Sequence, residues 1–482
     1  MQVFVTGATG FIGRALCLRL RGAGHAVRAW VRDRARAADL LGAEVALYGG
    51  DDAALRAAMD GVDAVVHLAG EPVLPRRWSA SRKKALVDSR VGFTTRLVAA
   101  IGALPADRRP QVLLSASAVG YYGDRGQTRL DEQSGPGQGF LAELSQQWEA
   151  AAAAVEAHGL RWIAPRIGLV MGEGGGALDS MLLPFSLGLG GPIGGGAQRW
   201  PWIHLDDLLD AMLWLLGRPT ARGAYNLTAP DPVTAAAFAA ALGAALGRPA
   251  VLPAPTALLR LALGEAADAL LHSQRVEPAR LLAEGFSFRF PTLGGALAAC
   301  LPQSDALQLM PAGGSGSWPA SPYVSARRPR WRASAVLEVP HPIDEVAAFF
   351  TDPRNLGALT PAAAGLRTLP GQPPPGPGAT IAHALQLGPV PMTWRGRFEQ
   401  WEPPAVFVDV QEAGPYRCWW HAHRLEAGVA GGTRITDEIW FAAPLGPLGV
   451  LAEHLFVNNQ LRAIFHFRRQ ALNRRFGTAV NP

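Results

Sequence analysis

Lysine is almost missing from this chain of 482 residues, because Lys83 and Lys84 are the only two. The other 43 of its 45 basic residues are arginines, so any mechanism that depends on a lysine amine is confined to one adjacent pair. The basic residues are spread along the chain, and the net charge is only +6. Because nucleic-acid-binding proteins concentrate positive charge in runs or patches, we expect no nucleic-acid partner.

Cysteine is scarce as well, with Cys17, Cys300 and Cys418 in the whole chain. Their number is odd, their spacing is wide and no two form a CxxC pair, which argues against a disulfide framework or a thiolate metal site. These features predict a protein of the reducing cytoplasm.

Long apolar runs are also missing. The stretch 258–271, for example, is interrupted by Arg260, Glu265 and Asp268, whereas a membrane span needs about 20 predominantly apolar residues. The first strand-like run begins almost at Met1, which leaves no room for a signal peptide. We expect neither a membrane span nor a leader, and a cytoplasmic location.

The chain does have enough apolar residues, 49%, for more than one core, and its length exceeds that of an ordinary single domain. Over the first 165 residues, strand-like runs alternate with helical ones, which predicts an α/β fold with a doubly wound parallel sheet. The predicted strands are 2–6, 26–31, 45–48, 64–68, 112–115 and 162–165.

The rest of the first 300 residues is irregular and then mostly helical. A glycine-rich stretch at 172–202 precedes the helical region 203–300, which includes a helical cap at about 250–298. In doubly wound folds such segments lie over the carboxyl ends of the strands, where substrates bind.

The pattern changes after residue 300. Residues 301–329 collect Pro, Gly, Ser and Ala without periodicity, which predicts a linker. Beyond it, 330–482 alternates with period two and predicts a separate domain of antiparallel strands closed by a helix. The predicted elements of that domain are strands 394–401, 406–412, 416–426 and 433–443 and helix 446–476.

A glycine-rich turn follows the first predicted strand and opens a helical pattern. Glycines at these positions let the backbone amides of a helix N-terminus approach a pyrophosphate. The second strand follows at the distance that a βαβ unit requires, so the sequence predicts a dinucleotide site. Its predicted contacts are Gly7, Thr9, Gly10, Phe11, Ile12 and Gly13.

The end of the second strand bears on which dinucleotide binds. An acidic residue there indicates NAD, whereas an arginine accommodates the 2′-phosphate of NADP. Arg32 follows the strand and favours NADP, while the neighbouring Asp33 is compatible with NAD as the alternative cofactor.

Residues 1–298 resemble the atypical extended short-chain dehydrogenase/reductases, and most of all their epimerase-like, cell-division-inhibitor-like branch. The resemblance implies a Rossmann fold, with Asp51 at the acidic position that faces adenine and Leu68, Ala69 and Gly70 along the cofactor. The motifs that carry it include TGATGFIG at 6–13, HLAGEP at 67–72, SASAVGYYG at 115–123, WIHLDD at 202–207, YNLTAPDPV at 225–233 and GFSFRFP at 285–291.

Typical members of that superfamily use a serine together with a Tyr and a Lys spaced YxxxK, in which the lysine lowers the tyrosine pKa. With Glu149 as the register marker, Leu141 stands at the tyrosine position and Ser145 at the lysine position. No Tyr or Lys occurs between residues 123 and 224. The resemblance therefore implies the branch in which this dyad is lost.

Four candidate catalytic groups remain, namely Ser117, Arg90, Tyr121 and Tyr122. Ser117 matches the superfamily's serine, Arg90 stands where an asparagine is usual, and a phenol after Ser117 could face the nicotinamide. Each has a structural alternative: a turn residue for the serine, a solvated helix charge for the arginine and aromatic packing for the tyrosines.

Residues 330–482 resemble the START-like, polyketide-cyclase-like (SRPBCC) helix-grip proteins, in which a curved antiparallel sheet wraps a long C-terminal helix. The motifs are NLGALTP at 355–361, FVDVQEAGPYRCWWHAH at 407–423 and TDEIWFAAPLG at 436–446. The resemblance implies a cavity for a hydrophobic ligand. Asp437, a carboxylate on an otherwise apolar strand face, either marks that cavity or is a rim residue paired with an arginine.

His421 and His423 share one face of a predicted strand, as metal ligands do. No third ligand follows at a convincing spacing, so we expect no metal site.

Two functions remain open at this point. The first is an NADP-dependent oxidoreductase or epimerase-like enzyme of unusual mechanism, acting on a small-molecule substrate whose handling the C-terminal cavity assists. The second is a redox-silent NADP-binding sensor or scaffold whose C-terminal module binds a lipid-like ligand or a protein partner. Neither the substrate nor the oligomeric state is indicated.

Overall fold

The computed structural model describes residues 1–301, 307–387 and 390–478. Contacts divide the chain into two compact units: unit 1 comprises Met1–Arg34 and Val45–Leu301, and unit 2 comprises Ala35–Glu44 and Pro302–Pro482. The segment 35–44, expected in the first domain, thus groups with unit 2. Within unit 2, Arg475 binds the carboxylate of Glu44 at 2.7 Å.

Unit 1 is built on a parallel sheet. Seven strands lie in the order β3-β2-β1-β4-β5-β8-β12, and every pair is parallel, with the short β6 beside β8. The order reverses between β1 and β4, the point at which doubly wound sheets bind their ligands. The predicted doubly wound parallel sheet is confirmed.

The strands of unit 1 are β1 Gln2–Thr6, β2 Ala26–Trp30, β3 Val45–Tyr48, β4 Ala64–His67, β5 Val112–Ser115, β6 Ser117–Ala118, β7 Arg129–Leu130, β8 Arg161–Ile167, β9 Leu169–Met171, β10 Arg199–Trp200, β11 Trp202–His204, β12 Gly223–Leu227, β13 Val233–Thr234 and β14 Arg275–Val276. The helices up to Cys300 are α1 Phe11–Gly22, α2 Arg34–Leu41, α3 Asp52–Met59, α4 Ala80–Val87, α5 Phe93–Gly102, α6 Phe140–Ala153, α7 Gly176–Ser186, α8 Leu205–Leu216, α9 Ala235–Leu246, α10 Thr256–Leu263, α11 Asp268–Leu271, α12 Ala279–Ala283 and α13 Leu293–Cys300.

The core of unit 1 forms because the central strands are apolar on both faces. Every residue of β4 and β5 is buried, as expected for a parallel strand covered by helices on both sides. On one face, Phe4 and Val65 pack against apolar residues of α3 and α5, among them Leu55 and Leu97. These strands hold the loops at their carboxyl ends in fixed positions.

Unit 2 is an antiparallel sheet of eight strands in the order β15-β16-β22-β21-β20-β19-β18-β17, with a long helix, α17. Leu461 and Phe465 of α17 pack against Trp419 and Phe441 of the sheet. The predicted α+β helix-grip architecture is confirmed. Its elements are β15 Gln308–Pro311, α14 Pro322–Arg327, β16 Trp331–Val339, α15 Ile343–Phe350, β17 Arg367–Thr368, β18 Thr380–Leu387, β19 Val390–Glu402, β20 Val406–Ala413, β21 Cys418–Ala427, β22 Thr433–Ala442, α16 Gly446–Ala452 and α17 Asn458–Phe476.

The segment 301–329, expected to be a linker, contains regular structure. Strand β15 pairs with β16, and helix α14 buries Tyr323 and Val324. Strand β15, an edge strand of four residues, and helix α14, of six residues, are too short to produce a periodic pattern of apolar residues in the sequence.

Across the described ranges, no helix combines the length and apolar character that a membrane span requires.

Candidate functional site

The turn after β1 is packed so closely that only glycine fits at two of its positions. Gly7 has φ +70°, and a β-carbon built on it would lie 2.7 Å from the carbonyl carbon of Leu68. A β-carbon at Gly13 would lie 2.2 Å from the carbonyl oxygen of Gly7. Helix α1 therefore starts directly against this turn, the glycine cradle. This geometry fits a pyrophosphate at a helix N-terminus.

The remaining predicted turn residues take different places. Gly10 caps α1, and its amide donates to the Gly7 carbonyl oxygen at 3.0 Å. Thr9 is exposed and Ile12 half-buried. The ring of Phe11 lies against the glycine-rich segment 172–176, where a β-carbon at Gly175 would come within 2.7 Å of it. Phe11 therefore offers a ligand its backbone amide, while its side chain packs on the protein.

The end of β4, where Leu68, Ala69 and Gly70 follow the strand, lies beside the turn. The amide of Leu68 donates to the Thr6 carbonyl oxygen, and the amide of Ala69 donates to the Thr6 hydroxyl at 3.4 Å. Leu68 and Ala69 are half-buried and Gly70 is exposed. This strand end therefore forms one wall of the cradle.

A buried histidine fixes that wall. His67 Nδ1 lies 2.6 Å from the Thr6 hydroxyl, and Nε2 lies 2.9 Å from the hydroxyl of Thr94. Thr94 donates its hydrogen to the carbonyl oxygen of Arg90, so Nε2 must donate and Nδ1 accept. Burial and the charge of Arg90 lower the pKa of His67 to about 3. His67 is therefore a neutral structural group.

The two residues predicted to contact the adenosine half both lie on the surface. The side chain of Arg32 is 94% exposed, and its Nη1 lies 3.6 Å from Glu71. A guanidinium so exposed is free to turn toward a phosphate. Asp51 caps α3 by accepting the amide of Ala54 at 2.9 Å, so its carboxylate already has a structural role.

Arg90 lies in a π-helical turn, Asp88–Gly92, and reaches the end of β4. A β-carbon built on Gly70 would lie 3.2 Å from the guanidinium carbon, which also sits 5.2 Å from the ring centre of Trp148. Its buried Nη1 has no hydrogen-bond partner among the described residues. Burial and the charge of Arg82 lower the pKa of Arg90 to about 10, so the group stays cationic at neutral pH. Arg90 is thus not a solvated helix charge, and its catalytic role stays a prediction.

Ser117 belongs to a buried ionic network. Its hydroxyl donates to Glu149 at 2.6 Å, and Arg166 clamps the same carboxylate with two bonds of 2.8 and 2.9 Å. Ser117 is only 3% exposed. Since a serine has one hydrogen to donate, Ser117 does not present that hydrogen to a substrate in this arrangement. Glu149 and Arg166 were missed by the sequence analysis, in which Glu149 served only as a register marker.

Tyr122 lies inside this ionic network, and Tyr121 lies at its edge. Tyr122 is fully buried, receives a 2.9 Å bond from Arg166 and lies 2.8 Å from Asn226 Oδ1. Burial raises its pKa to about 12, so Tyr122 is unsuited to proton transfer. Tyr121 is half-buried, and the guanidinium carbon of Arg166 lies 3.5 Å from its ring centre. The cation that lies beside each phenol is thus Arg166.

The positions of the missing dyad are filled by other contacts. Leu141 packs in an apolar cluster with Trp78, Leu86 and Leu144. The hydroxyl of Ser145 donates to the carbonyl oxygen of Leu141 at 2.8 Å. The tyrosine position therefore serves packing and offers no acid or base.

Unit 2 contains a cavity of about 250 Å³ between its sheet and α17. Its lining is largely apolar, and one wall carries Asp409, His421, His423 and Arg468. Asp437 lies behind this wall, 4% exposed, and contacts Arg468 Nη1 at 3.3 Å. Asp437 therefore both marks the cavity and pairs with an arginine.

The four acidic and imidazole groups are strongly coupled. Burial acts against ionisation of Asp437, but Arg468 and His423 lower its pKa well below the ordinary value. Burial likewise opposes the cationic form of His423, but the carboxylates of Asp437 and Asp409 raise its pKa. Burial and the neighbouring His423 lower the pKa of His421. Asp409, which the sequence analysis did not consider, places a carboxylate oxygen within 4.8 Å of a nitrogen of each imidazole.

Comparison with known proteins shows which family unit 1 resembles. Residues 3–228 match the model of the NAD dependent epimerase/dehydratase family, and 254–300 match a domain of unknown function, DUF1731. The human epimerase family protein SDR39U1 is 40% identical over 301 residues, which cover 62% of this chain and 98% of that protein. The chain belongs to this epimerase family.

Two further relatives extend the match. A crystal structure of human SDR39U1 (isoform 2) with NADPH superposes with a TM-score of 0.56 at 38% identity, covering 62% of this chain and 99% of that one. The SDR39U1 homologue of Arabidopsis thaliana, named as chloroplastic, is 40% identical over 303 residues, 62% of this chain and 87% of that protein. The cytoplasmic location expected for this epimerase-family chain stays a prediction.

Proposed function

We propose that unit 1 binds NADPH and uses it to reduce the carbonyl group of a small molecule. The observation that carries this proposal is the cationic Arg90, whose buried Nη1 has no hydrogen-bond partner among the described residues and lies beside the wall formed by Leu68, Ala69 and Gly70. The glycine cradle supports dinucleotide binding, and the human relative crystallised with NADPH supports that cofactor. NADPH supplies a hydride when bound.

The protein groups have separate roles in this proposal. Arg90 donates a hydrogen bond to the substrate oxygen and stabilises the negative charge that develops on it. Tyr121, the more accessible of the two phenols, supplies the proton, and the guanidinium of Arg166 lies against its ring. Ser117, Glu149 and Tyr122 hold Arg166 in place. Reduction needs this phenol only as an acid, whereas epimerisation needs it first as a base, so reduction is the simpler reaction for these groups.

Replacing Arg90 tests its role. Arg90→Ala is expected to lower the kcat of NADPH oxidation with any carbonyl substrate that the wild type reduces by about 10²- to 10³-fold, the loss typical of one oxyanion donor. NADPH affinity should change little. Initial rates from NADPH absorbance and a separate NADPH titration measure both quantities.

Arg96→Ala is the matched control, since Arg96 pairs with Asp52 at the surface one helix further on. Turnover that survives Arg90→Ala, or that falls equally in Arg96→Ala, contradicts the role given to Arg90.

Arg32 tests the choice of NADP over NAD. The wild type is expected to bind NADPH more tightly than NADH because the exposed guanidinium can pair with the 2′-phosphate. Loss of this charge-assisted bond in Arg32→Ala should weaken NADPH binding by about ten- to a hundredfold and leave NADH binding unchanged. Fluorescence titration measures each affinity, and equal losses for both cofactors would remove Arg32 from the phosphate site.

A second function is favoured by a specific observation. The hydroxyl hydrogen of Ser117 is engaged by Glu149, Tyr122 is buried, and Leu141 fills the tyrosine position. A unit with these features can bind NADPH without turning it over. The alternative is therefore a redox-silent NADPH-binding sensor or scaffold, in which Arg90 binds a ligand but no hydride moves.

For unit 2 we propose a START-like (SRPBCC) module that binds a hydrophobic small molecule. The cavity between the sheet and α17 supports it, since aromatic side chains such as Phe349, Trp394 and Phe407 form much of the wall. Ligand sites of this kind combine an apolar body with a few polar groups that fix orientation. The polar wall at Asp409 supplies such groups here.

A further inference from the structure

The polar wall of the unit 2 cavity is built by neighbouring strands in exact register. Asp409 of β20 is paired with His421 of β21, and His423 of β21 is paired with Asp437 of β22. Alternation along β21 places both imidazoles on the cavity face. Each histidine therefore lies between two carboxylates, one on either side of its strand.

Asp437 engages one nitrogen of each imidazole. Its Oδ1 lies 3.1 Å from His421 Nε2 and 2.6 Å from His423 Nδ1. An ionised carboxylate only accepts hydrogen bonds, so His421 Nε2, which is hydrogen-bonded to Asp437 Oδ1, carries the hydrogen of its ring. The contact of His423 Nδ1 is a close ion-pair distance without hydrogen-bond geometry. Arg468 contacts the same oxygen at 3.3 Å and compensates its charge. Asp437 thus sets the orientation of both rings.

The other nitrogen of each ring turns toward Asp409. His421 Nδ1 lies 3.8 Å and His423 Nε2 lies 3.6 Å from Asp409 Oδ1. With its hydrogen on Nε2, His421 presents a lone pair at Nδ1, and His423 offers one at Nε2 once its ring is neutral, as metal binding requires. One ligand atom each of Asp409, His421 and His423 therefore lies within 4.8 Å of the other two. A cation can bind between three such atoms.

The spacing of these donors suits a metal ion. A tetrahedral Zn²⁺ site with bonds of about 2.0 to 2.1 Å places its ligand atoms roughly 3.3 Å apart, about half an ångström or less from the two separations to Asp409 Oδ1. Two imidazoles and one carboxylate are a ligand set that Zn²⁺ and Fe²⁺ accept. A carboxylate behind each ligating histidine is the usual outer-sphere support.

We propose that unit 2 binds one divalent transition-metal ion through Asp409, His421 and His423, with Asp437 as the residue that positions both imidazoles. Three protein ligands leave a coordination position open toward the cavity, where an oxygen of a cavity ligand or a water completes the site. Asp437 and Arg468 form the outer support, and the aromatic wall shields the ion from solvent. The proposal is independent of hydride chemistry in unit 1.

Metal titration of the full chain tests this proposal. Tag-free protein is freed of metal with a chelator and titrated with Zn²⁺ by calorimetry, and with Co²⁺ by visible absorption. The expected result is one ion per chain bound with micromolar or tighter affinity. Asp409→Asn should abolish this binding, and Asp437→Asn should weaken it by about 10- to 100-fold at unchanged stoichiometry.

Asp352→Asn is the control, because Asp352 lines the same cavity but is paired with Arg354 at 2.6 Å. It should bind Zn²⁺ as the wild type does. Circular dichroism melts of the metal-free variants show whether each is folded, and His423→Gln replaces Asp409→Asn if that variant is not. Absence of Zn²⁺ and Co²⁺ binding by the wild type, or binding that a folded ligand variant retains, overturns the proposal.

Discussion

Gly13→Ala is expected to weaken NADPH binding by about a hundredfold or more. The added β-carbon would lie 2.2 Å from the Gly7 carbonyl oxygen, so the turn and the start of α1 must move apart. That movement displaces the amides proposed to bind the pyrophosphate, and the loss of two charge-assisted hydrogen bonds is worth about 3 to 6 kcal/mol. Titration of the full chain with NADPH measures the change.

The other glycines of unit 1 supply a graded comparison. A β-carbon at Gly10 would lie 3.2 Å from the Gly7 oxygen, so Gly10→Ala should have a smaller effect. Gly294 is a helical glycine in α13 with nothing within 4 Å of its β-carbon position. Gly294→Ala should bind NADPH normally. Equal affinities for Gly13→Ala and Gly294→Ala, with both variants folded, would be incompatible with a pyrophosphate at this turn.

Arg166→Met is expected to lower the free energy of unfolding of unit 1 by about 3 to 5 kcal/mol. The substitution removes the bidentate partner of Glu149, whose side chain is only 10% exposed, and leaves the carboxylate with Ser117 as its remaining donor. Breaking a buried ion pair by removing one partner typically costs this much. Chemical denaturation of the full chain, monitored with a signal that comes from unit 1, measures this change in the free energy of unfolding.

Two variants separate buried charge from lost packing. Adding Glu149→Gln to Arg166→Met removes the unpaired charge and should recover part of the lost stability. Arg129→Met removes a surface pair with Glu277 and should leave the unfolding midpoint unchanged. If the double variant is no more stable than Arg166→Met, the destabilisation does not come from the charge of Glu149.

Local patterns predicted most of the architecture. Strands β1 to β5 and β8 of unit 1 and strands β19 to β22 of unit 2 lie within a few residues of their predicted bounds, because apolar alternation and turn residues are local signals. Strand β12 was missed, because Gly223–Leu227 lies inside a region read as mostly helical. It became visible only through its pairing with β8.

The site was less predictable because its key contacts join distant residues. The glycine turn has a local signature, so the cradle was found. The pairing of Ser117 with Glu149, 32 residues away, depends on how α6 packs on β6. The pairing of Asp409 with His421 depends on strand register, which a hairpin assumption across residues 414–417 could have supplied. Contacts between residues that are far apart in the chain produce no local sequence pattern, so they could not be predicted from one sequence.

Isotope transfer is the measurement that tests the central claim, that unit 1 is an NADPH-dependent reductase working without the Tyr and Lys pair. The wild-type chain is incubated with NADPH deuterated at the transferable position and with a panel of small aldehydes, ketones and keto sugars, and the products are analysed by mass spectrometry. The account predicts one deuterium in an alcohol product, with its yield lost in Arg90→Ala. NADPH that binds but leaves no deuterium in any product would contradict the reductase and favour the redox-silent alternative.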